Sequence, residues 1–414
     1  MGRDRRVVVT GIGLRTPAGH DVETFWSTLV AGRSMAAPIE NWEVGEHPVK
    51  FACEVKEFDP VAHFGFKEAR RIDRAAQLGL AAATDAVASA FGPDGAAGAG
   101  VNPARVGVLA GTGIGGLQTL ENEIEQYGVK GPSRVSPLLV PMMMANATAG
   151  QIGIDHGFTG PNLCIATACA AGANAIGEAV RMIRDGSADA MVAGGTEACA
   201  TPVALAAFHR MGALTGSTDP ATASRPFDAA RDGFVMGEGA AILVLEEREH
   251  ALARGATIWG ELAGYGRTCD AHHITAPAEG GTGAAACMEL ALADAGLSPS
   301  DIGHVNAHGT STPLNDAAEA AAITKVFGPG ALPVVSTKGV TGHLIGAAGA
   351  VEAVAALLSL QHSLVPPTAN FENLGEGLEI DVVHGSARAV DPRPVVSNSF
   401  GFGGHNATLV ISAA

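Results

Sequence analysis

The sequence predicts an α/β fold in which helices cover both faces of a sheet. Short runs of β-branched residues alternate with alanine-rich segments of helical spacing along the 414 residues, and this alternation is typical of a sheet wrapped by helices. Segments 79–113 and 283–310 also share one layout: an amphipathic helix, a turn with proline, and a strand ending in small residues and Gly-Thr. The repeat indicates duplicated α/β halves with a break near residues 250–257, although two unrelated helix–strand units would give the same pattern.

The individual elements follow from local composition. Each predicted strand is a short apolar run that ends at glycine or at small polar residues. The predicted strands cover 5–13, 105–113, 189–195, 240–247, 256–266, 301–310, 333–339, 394–404 and 406–412. The intervening segments have helical patterns, for example 71–91 and 283–297. We therefore divide the chain into an N-terminal half, residues 1–254, and a C-terminal half, residues 255–414.

Composition narrows the classes of function. A formal net charge of −16 argues against nucleic acid as the main partner. The six cysteines form neither CxxC pairs nor a cysteine–histidine zinc spacing, which argues against a disulfide framework and a structural metal. We find no apolar run of roughly 18–20 residues and no signal-peptide pattern at the N-terminus. We therefore expect no membrane segment and a cytoplasmic protein.

Two glycine-rich turns are similar to dinucleotide-binding loops. "GTGIGG" (111–116) fits the pattern GxGxxG after a strand, but the acids that follow lie at 121–125, closer than the acidic residue expected about 20 positions later. "VVVTGIGLRTPAG" (7–19) places Pro17 where the helix should run. We interpret both segments as tight turns and expect no nicotinamide or flavin cofactor.

Cys169 lies where a strand is predicted to give way to a helix. Small and apolar residues recur at helical spacing, namely Cys169, Ala173, Ile176, Val180 and Ile183. The predicted helix ends with the basic residues Arg181 and Arg184, followed by Gly186. The unpaired N–H groups of a first helical turn favour an anion, so we expect a lowered thiol pKa. The alternative is a buried packing cysteine, which is how we interpret Cys164.

Three further segments place reactive groups at predicted strand ends. "NAHGTST" contains His308, and "STKGVTGHLIGAAGAVEA" contains Lys338 and His343. The loop at 397–406 is rich in glycine, and its N–H groups are suited to binding an oxyanion. Because α/β sheets gather their sites at the carboxyl ends of strands, we expect these groups to meet Cys169.

Five segments together resemble the β-ketoacyl-acyl carrier protein synthases, specifically the elongating type II enzymes, over nearly the whole chain. They read "ATACAAG", "ASRPFDAARDGFVMGEGA", "VNAHGTSTPLND", "STKGVTGHLIGAAGAVEA" and "SNSFGFGGHN". The resemblance implies a thiolase-like fold whose duplicated α/β halves form a five-layered α-β-α-β-α arrangement. It also implies an acyltransferase of fatty-acid biosynthesis, which condenses malonyl-acyl carrier protein with a cysteine-bound acyl chain and releases CO2.

The resemblance further implies roles for individual residues. Cys169 would carry the acyl chain, and His308 and His343 would promote the loss of CO2. Lys338 would support them, paired with Glu319. The N–H groups of Cys169 and Phe402 would form an oxyanion hole, and an acyl pocket with its gate would lie at Ile114, Phe234 and Phe402. The pantetheine would contact Thr275, Thr310 and Thr312.

The resemblance also implies a monovalent-cation site for Na+ or K+. Its residues would be Asn306, Glu352, Ser397 and Asn398, for which a plain hydrogen-bond network is the alternative.

The partner implied by the resemblance is an acyl carrier protein, which is acidic and brings its own 4′-phosphopantetheine. No cofactor is then required of this chain. The resemblance also implies a homodimer, with a heterodimer of related subunits as the alternative. Gly212 stands where the family often has arginine, which puts the usual docking contact in doubt, and Ala171 stands where serine is commoner. The basic residues expected to dock the carrier protein are Lys67, Arg70, Arg71 and Arg134.

Three other functions fit parts of the pattern. A ketosynthase subunit of a type II polyketide pathway would use the same catalytic set. A non-catalytic chain-length partner lacks the nucleophilic cysteine, which is present here. A thiolase carries a second catalytic cysteine in its C-terminal glycine loop, where this chain reads "GFGGHN". The sequence therefore favours fatty-acid elongation, with the polyketide ketosynthase as the nearest alternative.

Overall fold

The computed structural model describes residues 5–414. Its strands are β1 (Val7–Arg15), β2 (Ala37–Pro38), β3 (Phe51–Ala52), β4 (Val106–Gly111), β5 (Asn162–Ile165), β6 (Ala190–Glu197), β7 (Gly239–Glu247), β8 (Gly260–Cys269), β9 (His304–Asn306), β10 (Pro333–Val335), β11 (Leu364–Val365), β12 (Asp381–Val382), β13 (Arg388–Ala389), β14 (Val395–Gly401) and β15 (His405–Ser412). Its helices are α1 (Val22–Ala31), α2 (Pro60–Ala69), α3 (Arg74–Phe91), α4 (Gly95–Gly98), α5 (Leu117–Lys130), α6 (Leu139–Met143), α7 (Ala147–His156), α8 (Ala171–Arg184), α9 (Pro202–Arg210), α10 (Arg248–Ala253), α11 (Thr282–Ala295), α12 (Pro313–Phe327), α13 (Lys338–Thr341) and α14 (Ala348–His362).

The main sheet contains one motif twice. Within residues 5–414, eleven strands pair in the order β12-β10-β9-β14-β15-β8-β1-β7-β6-β4-β5. The series β1, β7, β6, β4, β5 corresponds to the series β8, β15, β14, β9, β10, since each begins with two antiparallel pairs and continues with two parallel pairs. β1 and β8 join the series by antiparallel pairing at Val8↔Glu261 and Val9↔Gly260. The repeated order supports the duplication inferred from sequence.

All nine strands predicted from sequence occur, with differences at their ends. Segment 301–310 holds only the three-residue strand β9, because the backbone N–H of His308 bonds to a side chain, Glu319, instead of a neighbouring strand. The nine predicted strands do not include β5, although the end of a strand was expected before Cys169. β5 is short, begins with a polar residue and has exposed positions at the sheet edge, so it gives no long apolar run.

Helices divide the two series into five layers. α8 and α14 pack against each other between the two series, α3 and α7 cover the outer face of the first, and α11 and α12 cover the outer face of the second. β6 faces two cores in alternation: Met191 and Ala193 join the central core, whereas Ala190 and Val192 join the outer core beneath α3. The architecture is therefore α-β-α-β-α, as expected.

The two central helices cross at short range because small residues face each other. A methyl group added at Gly172 would lie 2.8 Å from the carbonyl oxygen of Gly346, and one added at Gly349 would lie 2.8 Å from Cβ of Ala173. Both distances are below ordinary van der Waals contact. Since both helices begin beside the site described below, this crossing fixes the spacing between the groups that the two halves contribute.

The sequence analysis found no apolar run long enough for a membrane helix, and the stretch Ile345–His362, which contains α14, corrects this. It is the one helical segment in the described part of the chain with the length and apolar composition of a membrane span, and 89% of it is buried inside the protein. Its composition suits a helix that is packed on all sides in the central layer.

Candidate active site

A cavity of about 360 Å³ lies at the carboxyl ends of the parallel strands and gathers most of the predicted site residues. The loops that follow β5, β9 and β10 each reach it. Its walls combine apolar side chains with a few polar groups, as is typical of sites for extended apolar substrates. Among the predicted residues, the walls include Cys169, Phe234, Thr275, His308, Thr310, Thr312, Glu319, His343 and Phe402.

Cys169 lies in a tight turn between β5 and α8. Residues Ala168–Ala170 form a single 3₁₀ turn, in which Ala168 has a φ of +49°. This left-handed conformation is uncommon for a residue that has a Cβ. The turn places Cys169 directly before α8, with 6% of its surface exposed. The strand-to-helix junction expected from the sequence is therefore present.

Two histidines stand beside the sulfur. Nε2 of His343 lies 3.0 Å from Sγ of Cys169. The imidazole rings of His308 and His343 are 5.2 Å apart between centroids and nearly perpendicular. His343 also packs edge-on against Phe234, with ring centroids 5.2 Å apart. The fold thus brings together three reactive side chains from three different loops.

Burial controls the protonation of these groups. It raises the pKa of the Cys169 thiol to about 12, against the opposing effects of the Lys338 charge and of the N–H groups of Phe402 and Cys169. The lowered thiol pKa expected from the helix N-terminus is therefore wrong for the free protein. Burial, followed by the Lys338 charge, lowers the pKa of both His308 and His343 well below the usual value. Both imidazoles are therefore neutral at neutral pH.

Lys338 fixes the tautomer of His308. Nζ of Lys338 donates to the carbonyl oxygen of His308 at 2.6 Å and lies 3.3 Å from its Nδ1. An ammonium group only donates, so Nδ1 accepts and the proton of the neutral ring sits on Nε2. His343 differs, since its Nδ1 has no hydrogen-bond partner among residues 5–414. Its tautomer is therefore free to change.

The acidic partner of Lys338 is Glu352, which corrects the expected pairing with Glu319. Nζ forms a buried ion pair with Oε1 of Glu352. Glu319 instead accepts the backbone N–H groups of His308 at 2.8 Å and Gly309 at 2.7 Å. Lys338 thus holds the imidazole ring, while Glu319 holds the main chain beneath it. Burial raises the pKa of each carboxyl group, Glu319 and Glu352, to about 7.

The glycine-rich loop after β14 closes one side of the cavity. The backbone N–H of Phe402 faces the Cys169 thiol and opposes the rise in its pKa. The Phe402 ring lies 6.4 Å from the ring of Phe208, and Gly403 and Gly404 have φ values of +83° and +73°, which favour glycine. The loop therefore stands where the sequence analysis expected a gate and an oxyanion hole.

The remaining pocket residues divide into two groups. Thr275, Thr310 and Thr312 line the cavity, and the hydroxyl groups of the last two are 2.8 Å apart. Ile114 lies outside the cavity of a single chain and is 42% exposed. Within one copy of the protein, Ile114 is thus surface rather than pocket wall.

The residues expected to hold a cation lie behind the site. Nδ2 of Asn306 donates to Oγ of Ser397 at 3.3 Å and to the carbonyl oxygen of Glu352 at 3.4 Å. Oδ1 of Asn306 and Oε2 of Glu352 are buried acceptors without a partner in the described chain, which fits a monovalent cation. Asn398 does not fit in the same way, because both ends of its amide are bonded to other side chains.

The basic residues expected to dock a carrier protein are all exposed. Lys67 lies in α2, Arg70 and Arg71 directly follow it, and Arg134 lies in a 3₁₀ turn after α5. The guanidinium group of Arg70 lies over the ring of the exposed Phe66, 5.4 Å from its centroid. Arg71 also pairs with the neighbouring Glu68, with 3.4 Å between Nη1 and Oε1.

Glu197 is a residue of the site that the sequence analysis missed. It ends β6, is fully buried, and accepts hydrogen bonds from the N–H groups of Gly113 and Gly346 beside the cavity. The N–H of Gly113 belongs to the "GTGIGG" segment, so a side chain of this protein occupies that loop. The signal in the sequence was an acidic residue within the otherwise small and apolar run "VAGGTEACA".

Comparisons with known proteins extend over nearly the whole chain. The model of the beta-ketoacyl synthase N-terminal domain matches residues 4–251, and that of the C-terminal domain matches residues 259–372. The 3-oxoacyl-[acyl-carrier-protein] synthase 2 of Synechocystis sp. is 48% identical over 408 residues, which are 98% of this chain and 97% of that protein.

Two solved structures have the same fold. The ishigamide ketosynthase/chain length factor has a TM-score of 0.91 at 37% identity, and a ketosynthase in complex with its type II PKS acyl-carrier protein has a TM-score of 0.90 at 32% identity. Each match covers 99% of both chains. The fold and the cysteine–histidine site define a thiolase-like acyltransferase. Within that class, the chain belongs to the β-ketoacyl synthase family.

Proposed function

We propose that the protein condenses malonyl-acyl carrier protein with an acyl chain on Cys169, releasing CO2 and giving β-ketoacyl-acyl carrier protein in fatty-acid elongation. The observation that carries the proposal is the 3.0 Å contact between Sγ of Cys169 and Nε2 of a neutral His343, with the neutral His308 in the same cavity. The 48% identity to a 3-oxoacyl-[acyl-carrier-protein] synthase 2, against 32% to the type II PKS ketosynthase, favours the fatty-acid pathway over the polyketide alternative.

The first step transfers an acyl group to Cys169. The thiol is protonated in the free protein, so it needs a base at the moment of attack. With its own proton on Nδ1, His343 takes the thiol proton at Nε2 as Sγ bonds to the acyl carbon. The N–H groups of Cys169 and Phe402 stabilise the charge on the acyl oxygen. The bond to the carrier's sulfur then breaks, and that sulfur takes the proton back from His343.

The second step removes CO2 from the malonyl thioester. Nε2–H of His308, fixed by Lys338, donates to the thioester carbonyl oxygen, and His343 donates to it in the tautomer with the proton on Nε2. The bond to the carboxylate breaks, its electron pair forms the enolate, and CO2 leaves. Because both donors are neutral and buried, they stabilise charge mainly as it develops on the enolate.

The third step joins the two carbon chains. The enolate carbon attacks the acyl carbon on Cys169, and the same N–H groups hold the oxyanion. The carbon–sulfur bond then breaks and releases the β-ketoacyl thioester on its carrier. The thiolate of Cys169 takes one proton from solvent, which balances the carboxylate lost as CO2.

We propose that the carrier protein docks on the exposed basic residues Lys67, Arg70, Arg71 and Arg134, and that its pantetheine passes Thr275, Thr310 and Thr312. Three exposed basic residues within the short segment 67–71 support this, because positive charges steer an acidic partner.

Removing the docking charges tests this part of the proposal. Replacing Lys67, Arg70 and Arg71 together by alanine should raise the KM for acyl-carrier protein roughly tenfold with kcat retained, the sum of three exposed ion pairs. The matched control is Lys325→Ala, which removes an exposed charge from α12. A triple variant with the wild-type KM contradicts the docking site.

We propose that a second copy of the chain covers an apolar face formed by the loop after β4, α5, α6 and β5. β5 is an unpaired sheet edge, which is a ready template for pairing. A heterodimer with a related subunit is the alternative outcome of a measurement of mass in solution. The exposed apolar residues of this face are Ile114, Ile124, Tyr127, Val140, Met144 and Leu163.

Three smaller proposals complete the assignment. The boundary between residues 1–254 and 255–414 falls between α10 and β8, where the two repeated series meet. Na+ or K+ binds at Asn306, Ser397 and Glu352, because the buried Oδ1 of Asn306 and Oε2 of Glu352 have no hydrogen-bond partner in the described chain. The protein acts in the cytoplasm and needs no cofactor beyond the phosphopantetheine of its carrier.

A single incubation tests the main proposal. The purified protein is mixed with malonyl-carrier protein and with carrier proteins that bear acyl chains of different lengths, and products are identified by mass. We expect an acyl adduct on the Cys169 peptide and a β-ketoacyl product extended by two carbons. Absence of the adduct with every chain contradicts the proposal, and repeated extension without reduction favours the polyketide alternative.

A further inference from the structure

The carboxylate of Glu197 joins two loops that border the site. Oε2 accepts the N–H of Gly113 at 2.6 Å and the N–H of Gly346 at 3.1 Å, and Oε1 accepts the hydroxyl group of Thr112 at 3.0 Å. Glu197 is fully buried and, in the described part of the chain, forms no ion pair with lysine or arginine. Burying a carboxylate without a cation costs free energy of desolvation, which only its hydrogen bonds offset here.

One of these loops contains a strained residue. Ile345, two positions after His343, has a φ of +46°. A β-branched side chain in the left-handed region is disfavoured and persists only where the surroundings hold it. The next N–H along the chain, that of Gly346, is bound by Glu197. Glu197 therefore supplies a contact that keeps the strained turn in place.

The other loop touches the same residue. A methyl group added at Gly113 would lie 2.8 Å from Cγ2 of Ile345, so the two loops pack directly on each other. Ile345 is itself a wall of the cavity and belongs to the same apolar cluster as Cys169 and Phe234. Movement of either loop would change the wall of the cavity and the approach of His343 to the sulfur.

We propose that Glu197 is a positioning residue for acyl transfer. By binding Gly113 and Gly346 together, it holds Ile345 in its left-handed conformation and sets the place of His343 relative to Cys169. The inference rests on the proposed transfer of an acyl group to Cys169, and it adds a residue that touches neither the substrate nor the sulfur.

Two substitutions separate the hydrogen bonds of Glu197 from its charge. In Glu197→Gln, the single amide oxygen still accepts both backbone N–H groups, while the amide nitrogen donates to Thr112. In Glu197→Ala, all three bonds are lost. The matched control is Glu246→Gln, because Glu246 is equally buried and lies at the other end of the β6–β7 pair, opposite Ala190.

The test measures single-turnover acylation of Cys169 by mass, with thermal unfolding to establish that each variant is folded. We expect Glu197→Ala to acylate about 100-fold more slowly, the effect of a small misplacement at a reacting centre. Glu197→Gln should restore the rate to within about tenfold, since it keeps two of the bonds. Glu246→Gln should acylate at the wild-type rate.

Alkylation of Cys169 by iodoacetamide gives a second readout. The charge of Glu197 opposes ionisation of the Cys169 thiol, so Glu197→Gln should make alkylation faster while acylation becomes slower. General damage to the site would change both rates in the same direction. If Glu197→Ala does not fold, Glu197→Asp keeps the carboxylate but is one methylene too short to bind both Gly113 and Gly346, and it should slow acylation about tenfold.

Three results would overturn the inference alone: a folded Glu197→Ala that acylates at the wild-type rate, an equal loss of acylation in Glu246→Gln, or, where Glu197→Ala is unfolded, a Glu197→Asp that acylates at the wild-type rate. Absence of acylation in the wild-type protein would overturn the proposed function and this inference with it.

Discussion

The turn that carries Cys169 and the turn that carries Ile345 are the same element in the two halves of the chain. Each begins with a left-handed residue, Ala168 at φ +49° or Ile345 at φ +46°, makes a single 3₁₀ turn, and continues into a central helix. In the first turn, the second residue is the reactive cysteine. In the second turn it is Gly346, whose N–H is bound by Glu197.

The difference lies in what precedes each turn. In the first half, β5 leads to the turn directly. In the second half, the short helix α13 is inserted between β10 and the turn, and it begins with Lys338 and leads to His343. The duplicated scaffold thus gives the nucleophile to one half and the polar groups to the other. In the mechanism we propose, the first half holds the acyl chain and the second half activates malonyl.

Replacing Cys169 should have the largest effect and should separate the two halves. Cys169→Ala is expected to lower condensation by at least about 10³-fold, because the nucleophile is absent. Cys169→Gln should also lose condensation but leave malonyl decarboxylation measurable, since the second half is intact. Product mass and CO2 release are the measurements. Elongation retained in the alanine variant would contradict the nucleophile assignment.

Replacing either histidine should give the opposite pattern. His308→Ala and His343→Ala are each expected to lower malonyl decarboxylation by about 10² to 10³-fold, the usual effect of removing one preorganised donor. His308→Ala should still form the acyl adduct, whereas His343→Ala should form it more slowly because the contact at 3.0 Å is lost. Decarboxylation at the wild-type rate in either variant would show that the role is not shared.

Removing the charge of Lys338 should destabilise the second half. Lys338→Met leaves the buried carboxylate of Glu352 unpaired, and we expect a loss of about 3–5 kcal/mol in the free energy of unfolding. The control Arg388→Met breaks a half-exposed ion pair with Asp381 and should cost at most about 1 kcal/mol. Denaturant unfolding measures both. Equal losses of unfolding free energy in the two variants would mean that the buried ion pair stabilises the protein no more than the half-exposed one.

The pH dependence of stability should give the smallest effect. The pKa of the Glu319 carboxyl group is about 7 in the folded protein, raised from 4.5. Between these values the unfolded chain releases the proton that the folded chain keeps, so the stability contributed by Glu319 is present below pH 4.5 and declines as the pH rises to 7. The difference in unfolding free energy between wild type and Glu319→Gln should therefore fall over this range. A difference that does not change with pH contradicts the raised pKa.

The sequence predicted the parts of the fold that depend on local pattern. Alternating strands and helices, the repeat and the junction before α8 all follow from residue spacing, and the structure contains them. The bounds of β5 were not predicted, because four residues at a sheet edge carry little apolar signal. The family motifs located the reactive side chains, which the fold brings into one cavity.

The errors concern properties that depend on surroundings. Glu319 and Glu352 are both acidic residues near the same cavity, and only the packing of α12 and α14 decides which of them meets Lys338. The thiol pKa of Cys169 depends on how completely the fold excludes water, which local spacing does not record. Glu197 was overlooked for the same reason, since its partners come from loops far away in the chain.

The close packing of α8 against α14 limits which parts of this protein can diverge in evolution. The close approach of backbone and Cβ atoms at Gly172, Ala173 and Gly349 is one determinant of the separation between Cys169 and His343. Substitutions in the outer layers, or at cavity walls away from Ile345, leave that approach untouched. The acyl chain that is accepted and the carrier that is bound are therefore free to diverge, while the chemistry stays the same.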